Sequence, residues 1–219
     1  MPLALFDLDN TLLAGDSDYA WGEFLVDEKK VDPDHYARMN EQFYEDYQLG
    51  KLDIFEYLRF ALAPLAALEP QELVELHRKF MNEVISKMWL PAAEALVEQH
   101  RAAGDRLMVI SATNRFIVEP ICHRFGIKEI IATEPEQIDG RFTGQVAGVP
   151  SYQQGKVTRL QNWLAENDET LAGSSFYSDS INDLPLLEVV AKPVAVNPDK
   201  LLLAEASQRD WPVLDLRSV

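Results

Sequence analysis

Short apolar runs recur along this chain, each bounded by polar or turn residues. The runs are 3–6 (LALF), 106–110 (RLMVI), 174–177 (SSFY) and 193–196 (PVAV). Such runs are typical of buried parallel strands. Helical patterns separate most of them, at about 92–103, 114–125, 153–167 and 183–190. This alternation favours right-handed βαβ units and predicts an α/β fold with a doubly wound parallel sheet.

Residues from about 16 to 88 interrupt the alternation. They contain few strand-like runs, and apolar residues recur at spacings of three and four, as at Phe55, Leu58 and Leu62. Breaks near Pro33, Gly50 and the stretch 64–70 divide the segment into about four helices. We therefore predict a helical cap domain at 16–88, inserted into a core domain made of 1–15 and 89–219.

The segment 135–149 has glycines at 140, 144 and 148 between short alternating stretches, which predicts a small β-hairpin flap. The flap precedes Lys156, so we expect it beside the active edge of the sheet. A chain of 219 residues suffices for one substantial core with an accessory, rather than two independent domains.

The amino-acid composition disfavours some classes of binding partner. Lys and Arg number 20 against 36 Asp and Glu, a formal charge of −16, which disfavours nucleic acid and anionic membranes as partners. The sequence has no long apolar segment typical of a signal peptide or a membrane span, so we expect a cytoplasmic protein. The single Cys122 is expected to be a buried structural thiol, and the four histidines lack zinc-ligand spacing. The oligomeric state stays open.

Asp7 and Asp9 in DLDNT follow the first predicted strand two residues apart, a spacing that points both side chains to the same side. Ligands of open parallel sheets bind beyond the carboxyl ends of the strands, where this pair falls. Asp179 and Asp183 in SDSINDLP form a second acidic pair after another strand. Oxygen ligands in this number suit Mg²⁺. Each motif also has a purely structural interpretation, as a turn or a helix cap.

Two further elements suit a phosphate group. Ser111 follows a strand and precedes a helix, where its hydroxyl and free backbone N–H groups, such as that of Ala112, form an anion site. Lys156 lies in the first turn of a predicted helix, where a cation opposes the helix dipole. Serine caps many helices, so this element alone is weak, but the four elements together supply complementary parts of phosphoryl transfer.

These motifs resemble, in order, those of the haloacid dehalogenase superfamily, in its phosphoserine phosphatase-like branch. DLDNT at 7–11, Ser111, Lys156 and SDSIND at 178–183 match its four motifs. The resemblance implies a Mg²⁺-dependent phosphatase in which Asp7 forms an aspartyl-phosphate, while Asp9 protonates the leaving group and then activates water. It implies metal binding by Asp7, Asp9, Asp179 and Asp183, and phosphate binding by Ser111, Ala112, Lys156 and Asn182. Dehalogenating relatives lack the second Asp, so its presence favours phosphate chemistry.

The resemblance also bears on the substrate, a small phosphate ester. Asp16 stands where phosphoserine phosphatases carry a glutamate that binds the substrate amino group, and their cap arginine could correspond to Arg59 or Arg38. An acid without an assured arginine suits an amino-alcohol phosphate, such as histidinol phosphate or phosphoserine. Aromatic residues that either line the pocket or fill the cap core are Tyr19, Trp21, Phe43 and Tyr47. The alternatives are a phosphotransferase or mutase of the same superfamily and a non-catalytic phosphate-binding protein.

Overall fold

A single seven-stranded sheet forms the centre of the protein in the computed structural model, which describes residues 1–218. The strands are β1 (Leu3–Phe6), β2 (Arg106–Asn114), β3 (Glu129–Ile138), β4 (Arg141–Ala147), β5 (Ser175–Ser178), β6 (Lys192–Val196) and β7 (Val213–Leu214). Their order across the sheet is β4-β3-β2-β1-β5-β6-β7. All neighbours are parallel except β3 and β4, which form an antiparallel hairpin.

Helices cover the sheet and also make up the insertion after β1. They are α1 (Ser17–Asp27), α2 (Pro33–Gln48), α3 (Ile54–Ala67), α4 (Pro70–Phe80), α5 (Ser86–Met88), α6 (Pro91–Ala103), α7 (Arg115–Arg124), α8 (Gln154–Glu166), α9 (Leu184–Leu187) and α10 (Lys200–Gln208). A π-helical turn at Met81–Ile85 joins α4 to α5, and a 3₁₀ turn at Ile181–Asp183 precedes α9. Asp16, Asp32 and Asp53 cap the first three helices by accepting hydrogen bonds from backbone N–H groups.

Strand β1 lies in the middle of the sheet and is buried along its whole length. Its successive side chains pack on opposite faces: Phe6 contacts the cluster that contains α6 and α7 residues, and Leu5 contacts the cluster that contains α8 residues. A strand covered on both faces reads as a continuous apolar run, which is why LALF was recognisable. The predicted doubly wound α/β sheet is confirmed.

The predicted hairpin is confirmed, since residues 134–138 of β3 pair with residues 141–147 of β4 through a turn at Asp139 and Gly140, both with positive φ. The first half of β3, from residue 129, pairs with β2 and was not predicted. The predicted helix break in the stretch 64–70 is confirmed as well, because α3 ends at Ala67 and α4 begins at Pro70. Helix α3 continues through Pro64, and burial of neighbouring Leu62 and Leu65 keeps its last turn in place although proline removes one donor.

One predicted helix was wrong. The segment 183–190 forms a 3₁₀ turn and the four-residue α9 instead. Helix α10 and strand β7 were not predicted.

The inserted helices pack in two groups. Trp21 and Phe24 of α1 pack with Phe80 and Phe116 in the main core. The ring centroids of these three phenylalanines lie 5.1–5.6 Å from the ring centroid of Trp21. Trp21 is therefore a core residue. Helices α2 and α3 contact each other through aromatic pairs, and α3 packs against the β4 hairpin.

The chain enters and leaves the insertion side by side, since Leu13 bridges Trp89 and the Ala14 N–H donates to the Met88 carbonyl. The domain division at 15/16 and 88/89 stays a prediction. Cys122 is buried, as expected. Over residues 1–218, no helix has both the length and the apolar character to cross a membrane.

Candidate active site

The candidate site lies at the carboxyl ends of β1, β2 and β5. Asp7 directly follows β1, and its N–H donates to the Tyr177 carbonyl at 2.9 Å, which extends the pairing of β1 with β5 by one residue. Asp179 directly follows β5. The two carboxylates therefore emerge from neighbouring strands at one edge of the sheet, and both residues are at most 9% exposed.

Lys156 joins this acidic group from the first turn of α8. Its ammonium Nζ lies 2.7 Å from Asp7 Oδ1 and 2.7 Å from Asp183 Oδ1, and the residue is 1% exposed. Gly155 makes the placement feasible, because a Cβ at that position would lie 2.0 Å from the Pro150 carbonyl oxygen. The Ser178 hydroxyl donates to Asp183 at 2.7 Å and orients it. Asp183 thus holds Lys156 against Asp7.

Thr11 connects Asp7 to Asp179. Its hydroxyl lies 3.4 Å from Asp7 Oδ2 and 3.2 Å from Asp179 Oδ1, and its single proton can serve only one of them. Burial raises the pKa of Asp7 to about 7, although Lys156 lowers it, and burial together with Asp7 raises the pKa of Asp179. Three buried carboxylates, those of Asp7, Asp179 and Asp183, thus lie near one buried lysine, which forms ion pairs with Asp7 and Asp183.

This donor set fits a hard divalent cation. Carboxylate and carbonyl oxygens are the ligands that Mg²⁺ prefers, and the excess negative charge gives a cation a strong attraction. In the part of the chain that the structure describes, no three Asp, Glu, His or Cys side chains already converge as a ligand cluster. Lys156 and Ser178 both donate to the carboxylate of Asp183.

Asp9 points into the same cavity and is held at both oxygens. The Ser17 N–H donates to Oδ1 at 2.6 Å, and the Thr113 hydroxyl donates to Oδ2 at 2.9 Å. Burial raises the pKa of Asp9 to about 7, with a further contribution from Asp16, while the bonds from Ser17 and Thr113 lower it. A carboxyl group with a pKa near 7 is suited to act as both acid and base.

The segment Ser111–Thr113 leaves the regular pairing of β2 with β3, which is interrupted between Ile110 and Asn114. The Thr113 N–H donates to Ser111 Oγ at 3.1 Å, which leaves the Ser111 proton available to an incoming oxygen. Thr133 on β3 donates to the Ala112 carbonyl at 2.7 Å and fixes the backbone of the segment. Ser111, Ala112 and Thr113 all line the cavity.

The cavity above Asp7 and Asp9 is acidic and aromatic. Its lining includes Asp16 and Asp18 of the α1 start, Phe43 of α2 and four tyrosines of the insertion, namely Tyr19, Tyr44, Tyr47 and Tyr57. Burial raises the pKa of both Asp16 and Asp18 to about 7. Within residues 1–218, no lysine or arginine side chain lines the cavity. Such surroundings attract a positively charged group.

The structure brings Asp7, Asp9, Asp16, Ser111 and Ala112 together at the cavity, with Lys156, Asp179 and Asp183 beside Asp7. Arg59 is not part of this group. It lies exposed on α3 outside the cavity lining, because the buried face of α3 carries Leu58 and Leu62. Arg38 is exposed as well. Neither arginine is placed to bind a substrate carboxylate.

Asn182 also differs from expectation. Its Oδ1 accepts from the Tyr152 hydroxyl and Gln153 Nε2, both at 3.0 Å, and its Nδ2 donates to the Tyr47 carbonyl at 2.9 Å. These bonds occupy the side chain and tie the 3₁₀ turn to α2, so the geometry does not support a phosphate contact. Thr11, Thr113 and Asp18 were not predicted as site residues, although Thr11 belongs to the DLDNT motif and Asp18 follows Asp16 by two residues.

The chain is similar to proteins of one hydrolase family. The profile of the haloacid dehalogenase-like hydrolases matches residues 4–188. A histidinol-phosphatase of Neisseria meningitidis is 52% identical over 98% of this chain and 99% of its own length. A protein of unknown function from Bordetella pertussis is 45% identical, with a TM-score of 0.92 over 98% of both chains.

A phosphoserine phosphatase solved as a phospho-aspartyl intermediate analogue shares the fold, with a TM-score of 0.72 at 18% identity over 99% of this chain and 93% of its own. The acidic pair at the end of β1, the buried lysine and the serine segment therefore occur in a chain whose relatives include phosphatases. This chain is a phosphatase and belongs to the haloacid dehalogenase-like hydrolase family.

Proposed function

We propose that this phosphatase is a Mg²⁺-dependent phosphomonoesterase that acts on a small, positively charged amino-alcohol phosphate, with histidinol phosphate as the preferred candidate. The observation that carries the proposal is the arrangement of Asp7, Asp9 and Lys156 beneath an acidic, aromatic cavity whose described lining has no cationic side chain. The histidinol-phosphatase that is 52% identical supports the same substrate.

The reaction proceeds in two halves. In the first, a carboxylate oxygen of Asp7 attacks phosphorus, the bond from phosphorus to the ester oxygen breaks, and Asp9 donates its proton to the leaving alkoxide. In the second, Asp9 takes a proton from water, the water oxygen attacks phosphorus, and the bond to Asp7 breaks. The products are the free alcohol and inorganic phosphate, and both aspartates return to their initial state.

Lys156 and the serine segment bind the transferred group. The ammonium lies 2.7 Å from Asp7 Oδ1, so a phosphoryl group on Asp7 brings its oxygens next to a fixed positive charge. The Ser111 hydroxyl and the Ala112 N–H supply neutral donors from the neighbouring strand end. Preorganised donors of this kind stabilise the charge that develops during transfer.

Asp7 is also the residue at which Mg²⁺ would bind. Its ligands would be carboxylate oxygens of Asp7 and Asp179 and the main-chain carbonyl of Asp9, while Asp183 would act through Lys156. When bound, the ion neutralises phosphate oxygens and keeps Asp7 ionised.

The cavity favours a substrate without a carboxylate. The amino group and imidazole of histidinol phosphate carry positive charge or donate hydrogen bonds, and they match Asp16, Asp18 and the tyrosine hydroxyls. Phosphoserine carries a carboxylate that would face these acids, with both candidate arginines exposed outside the lining. It is the second candidate because the fold is shared with a phosphoserine phosphatase.

The test is phosphate release by the purified protein from equal concentrations of histidinol phosphate, phosphoserine and glucose 6-phosphate, with MgCl₂ or with EDTA. We expect the highest kcat/KM for histidinol phosphate, loss of turnover in EDTA, and no turnover in Asp7→Asn with the circular dichroism spectrum unchanged. Faster release from phosphoserine would overturn the substrate assignment. Consumption of the ester without release of inorganic phosphate, together with transfer of the phosphoryl group to an added acceptor alcohol, would indicate a phosphotransferase instead.

A further inference from the structure

The carboxylate of Asp9 is held by two donors of different kinds. One is a main-chain N–H, that of Ser17 at the start of α1, at 2.6 Å from Oδ1. The other is the side-chain hydroxyl of Thr113, at 2.9 Å from Oδ2. Thr113 is only 5% exposed, and among the hydrogen bonds of residues 1–218 its hydroxyl bonds Asp9 alone. The buried hydroxyl of Thr113 therefore serves the Asp9 carboxylate.

The two donors respond differently when Asp9 changes its protonation state. A main-chain N–H can only donate, so the Ser17 bond favours the ionised carboxylate. A hydroxyl can donate to the carboxylate and, after rotation about its C–O bond, accept from the carboxylic acid. Asp9 is required in both forms during one turnover, first as acid and then as base. Thr113 can therefore hold the group in one orientation throughout.

The backbone of Thr113 is itself fixed. Its N–H donates to Ser111 Oγ at 3.1 Å, and the preceding residue is anchored because Thr133 donates to the Ala112 carbonyl at 2.7 Å. The same short segment thus presents the phosphate donors on one side and the Asp9 contact on the other. A hydroxyl on so constrained a segment defines the direction of the Asp9 carboxyl relative to the phosphate.

We propose that Thr113 is a positioning residue that keeps Asp9 aligned for proton transfer in both halves of the reaction. The proposal rests on the phosphatase mechanism given above, in which Asp9 is the acid and base. It predicts a defect that depends on whether the leaving group needs a proton. An alkoxide needs one, whereas p-nitrophenolate leaves without it.

The experiment compares kcat/KM for histidinol phosphate and for p-nitrophenyl phosphate, because kcat/KM reports the half-reaction in which the leaving group departs. Thr113→Val keeps the shape of the side chain and removes the hydroxyl. We expect kcat/KM to fall on the order of 10-fold to 100-fold for histidinol phosphate and much less for p-nitrophenyl phosphate. Thr113→Ser restores the hydroxyl and is expected to restore the activity.

Thr133→Val is the matched control. It removes another buried threonine hydroxyl that bonds the same segment, at the Ala112 carbonyl rather than at Asp9. It is expected to affect the two substrates equally. Asp9→Asn is the reference variant. We expect its kcat/KM to fall more for histidinol phosphate than for p-nitrophenyl phosphate, as in Thr113→Val, but by a larger factor. Thermal unfolding of each variant identifies a folding defect, and Thr113→Ala replaces the valine variant if that one does not fold.

Equal losses on both substrates in Thr113→Val, or no loss on either, would overturn the positioning role while leaving the phosphatase function intact. An Asp9→Asn variant without the substrate difference would remove the acid role of Asp9, and with it the role of Thr113. No phosphate release by the wild-type protein from any ester would refute the proposed function itself. The three failures are therefore distinguishable.

Discussion

Replacement of Lys156 by methionine tests how the buried charges of the site are balanced. Lys156→Met keeps a long apolar side chain and removes the ammonium that lies 2.7 Å from both Asp7 and Asp183. Burial alone would lower the pKa of Lys156, but Asp183 and Asp7 raise it above its usual range. A raised lysine pKa means that the ammonium is fully present at neutral pH and that its stabilisation is lost only as the pH rises through that pKa.

The expected magnitude follows from burial. Lys156 is 1% exposed, Asp7 4% and Asp183 2%, so solvent does not screen the carboxylates that lose their partner. Removing one member of a buried ion pair costs about 3–5 kcal/mol of unfolding free energy. For a chain of this size, each kcal/mol shifts the melting temperature by about 2–4 °C. We therefore expect Lys156→Met to melt about 6–20 °C below the wild type in EDTA.

The assay is thermal unfolding by circular dichroism at pH 7.5, in EDTA and in MgCl₂. If the proposed Mg²⁺ site is correct, the ion adds positive charge beside Asp7, and MgCl₂ is expected to raise the melting temperature of the variant. Lys200→Met, at an exposed lysine of α10, is the matched control and is expected to melt like the wild type. Lys156→Met combined with Asp183→Asn should be less destabilised than the sum of the single changes, because one unpaired carboxylate is gone. A Lys156→Met variant that melts with the wild type in EDTA would refute this account.

Three further predictions concern the cap, the core and the exposed arginine. Asn182→Ala removes the 2.9 Å hydrogen bond to the Tyr47 carbonyl, so we expect a higher KM and faster amide hydrogen exchange in α2. Tyr152→Phe, which removes another bond to Asn182, should show a smaller change. Unchanged hydrogen exchange in Asn182→Ala would contradict the role of this contact. Burial lowers the pKa of His77, so the proton that His77 takes up on unfolding subtracts from the free energy of unfolding as the pH drops below about 6.5. In urea titrations from pH 7 to 5, the His77→Gln variant should therefore gain stability relative to the wild type as the pH falls, and parallel profiles would disprove this. Arg59→Ala should leave KM unchanged and the unfolding free energy within about 0.5 kcal/mol, whereas a several-fold rise in KM would restore the arginine contact.

The sheet was predictable where a strand is short, buried and bounded by polar residues. Strand β1 has this form, and so do the apolar parts of β2, β5 and β6. Strand β3 was missed in its first half because it begins with a glutamate and continues into the hairpin, so its sequence mixes two environments. The two-residue β7 carries too little pattern to be recognised, since it exists only by pairing with β6.

Local sequence patterns located Asp7, Asp179 and Lys156, because each lies at the end of an apolar run or in the first turn of a predicted helix. Parallel strands bring their carboxyl ends to one edge, so the proximity of Asp7 and Asp179 follows from the fold class. Lys156 reaches Asp7, 149 residues away, from the first turn of α8.

Which side chains turn toward that edge depends on how the folded chain packs. Thr113 contacts Asp9, 104 residues away, Asn182 contacts Tyr47 of α2, 135 residues away, and Arg59 lies exposed outside the cavity lining. These orientations depend on how the inserted helices pack over the sheet, through contacts such as α3 on β4, and such packing leaves no periodic signal in the sequence. Local spacing therefore located the acids and the lysine, while the packing of the insertion over the sheet selected which of their neighbours contact them.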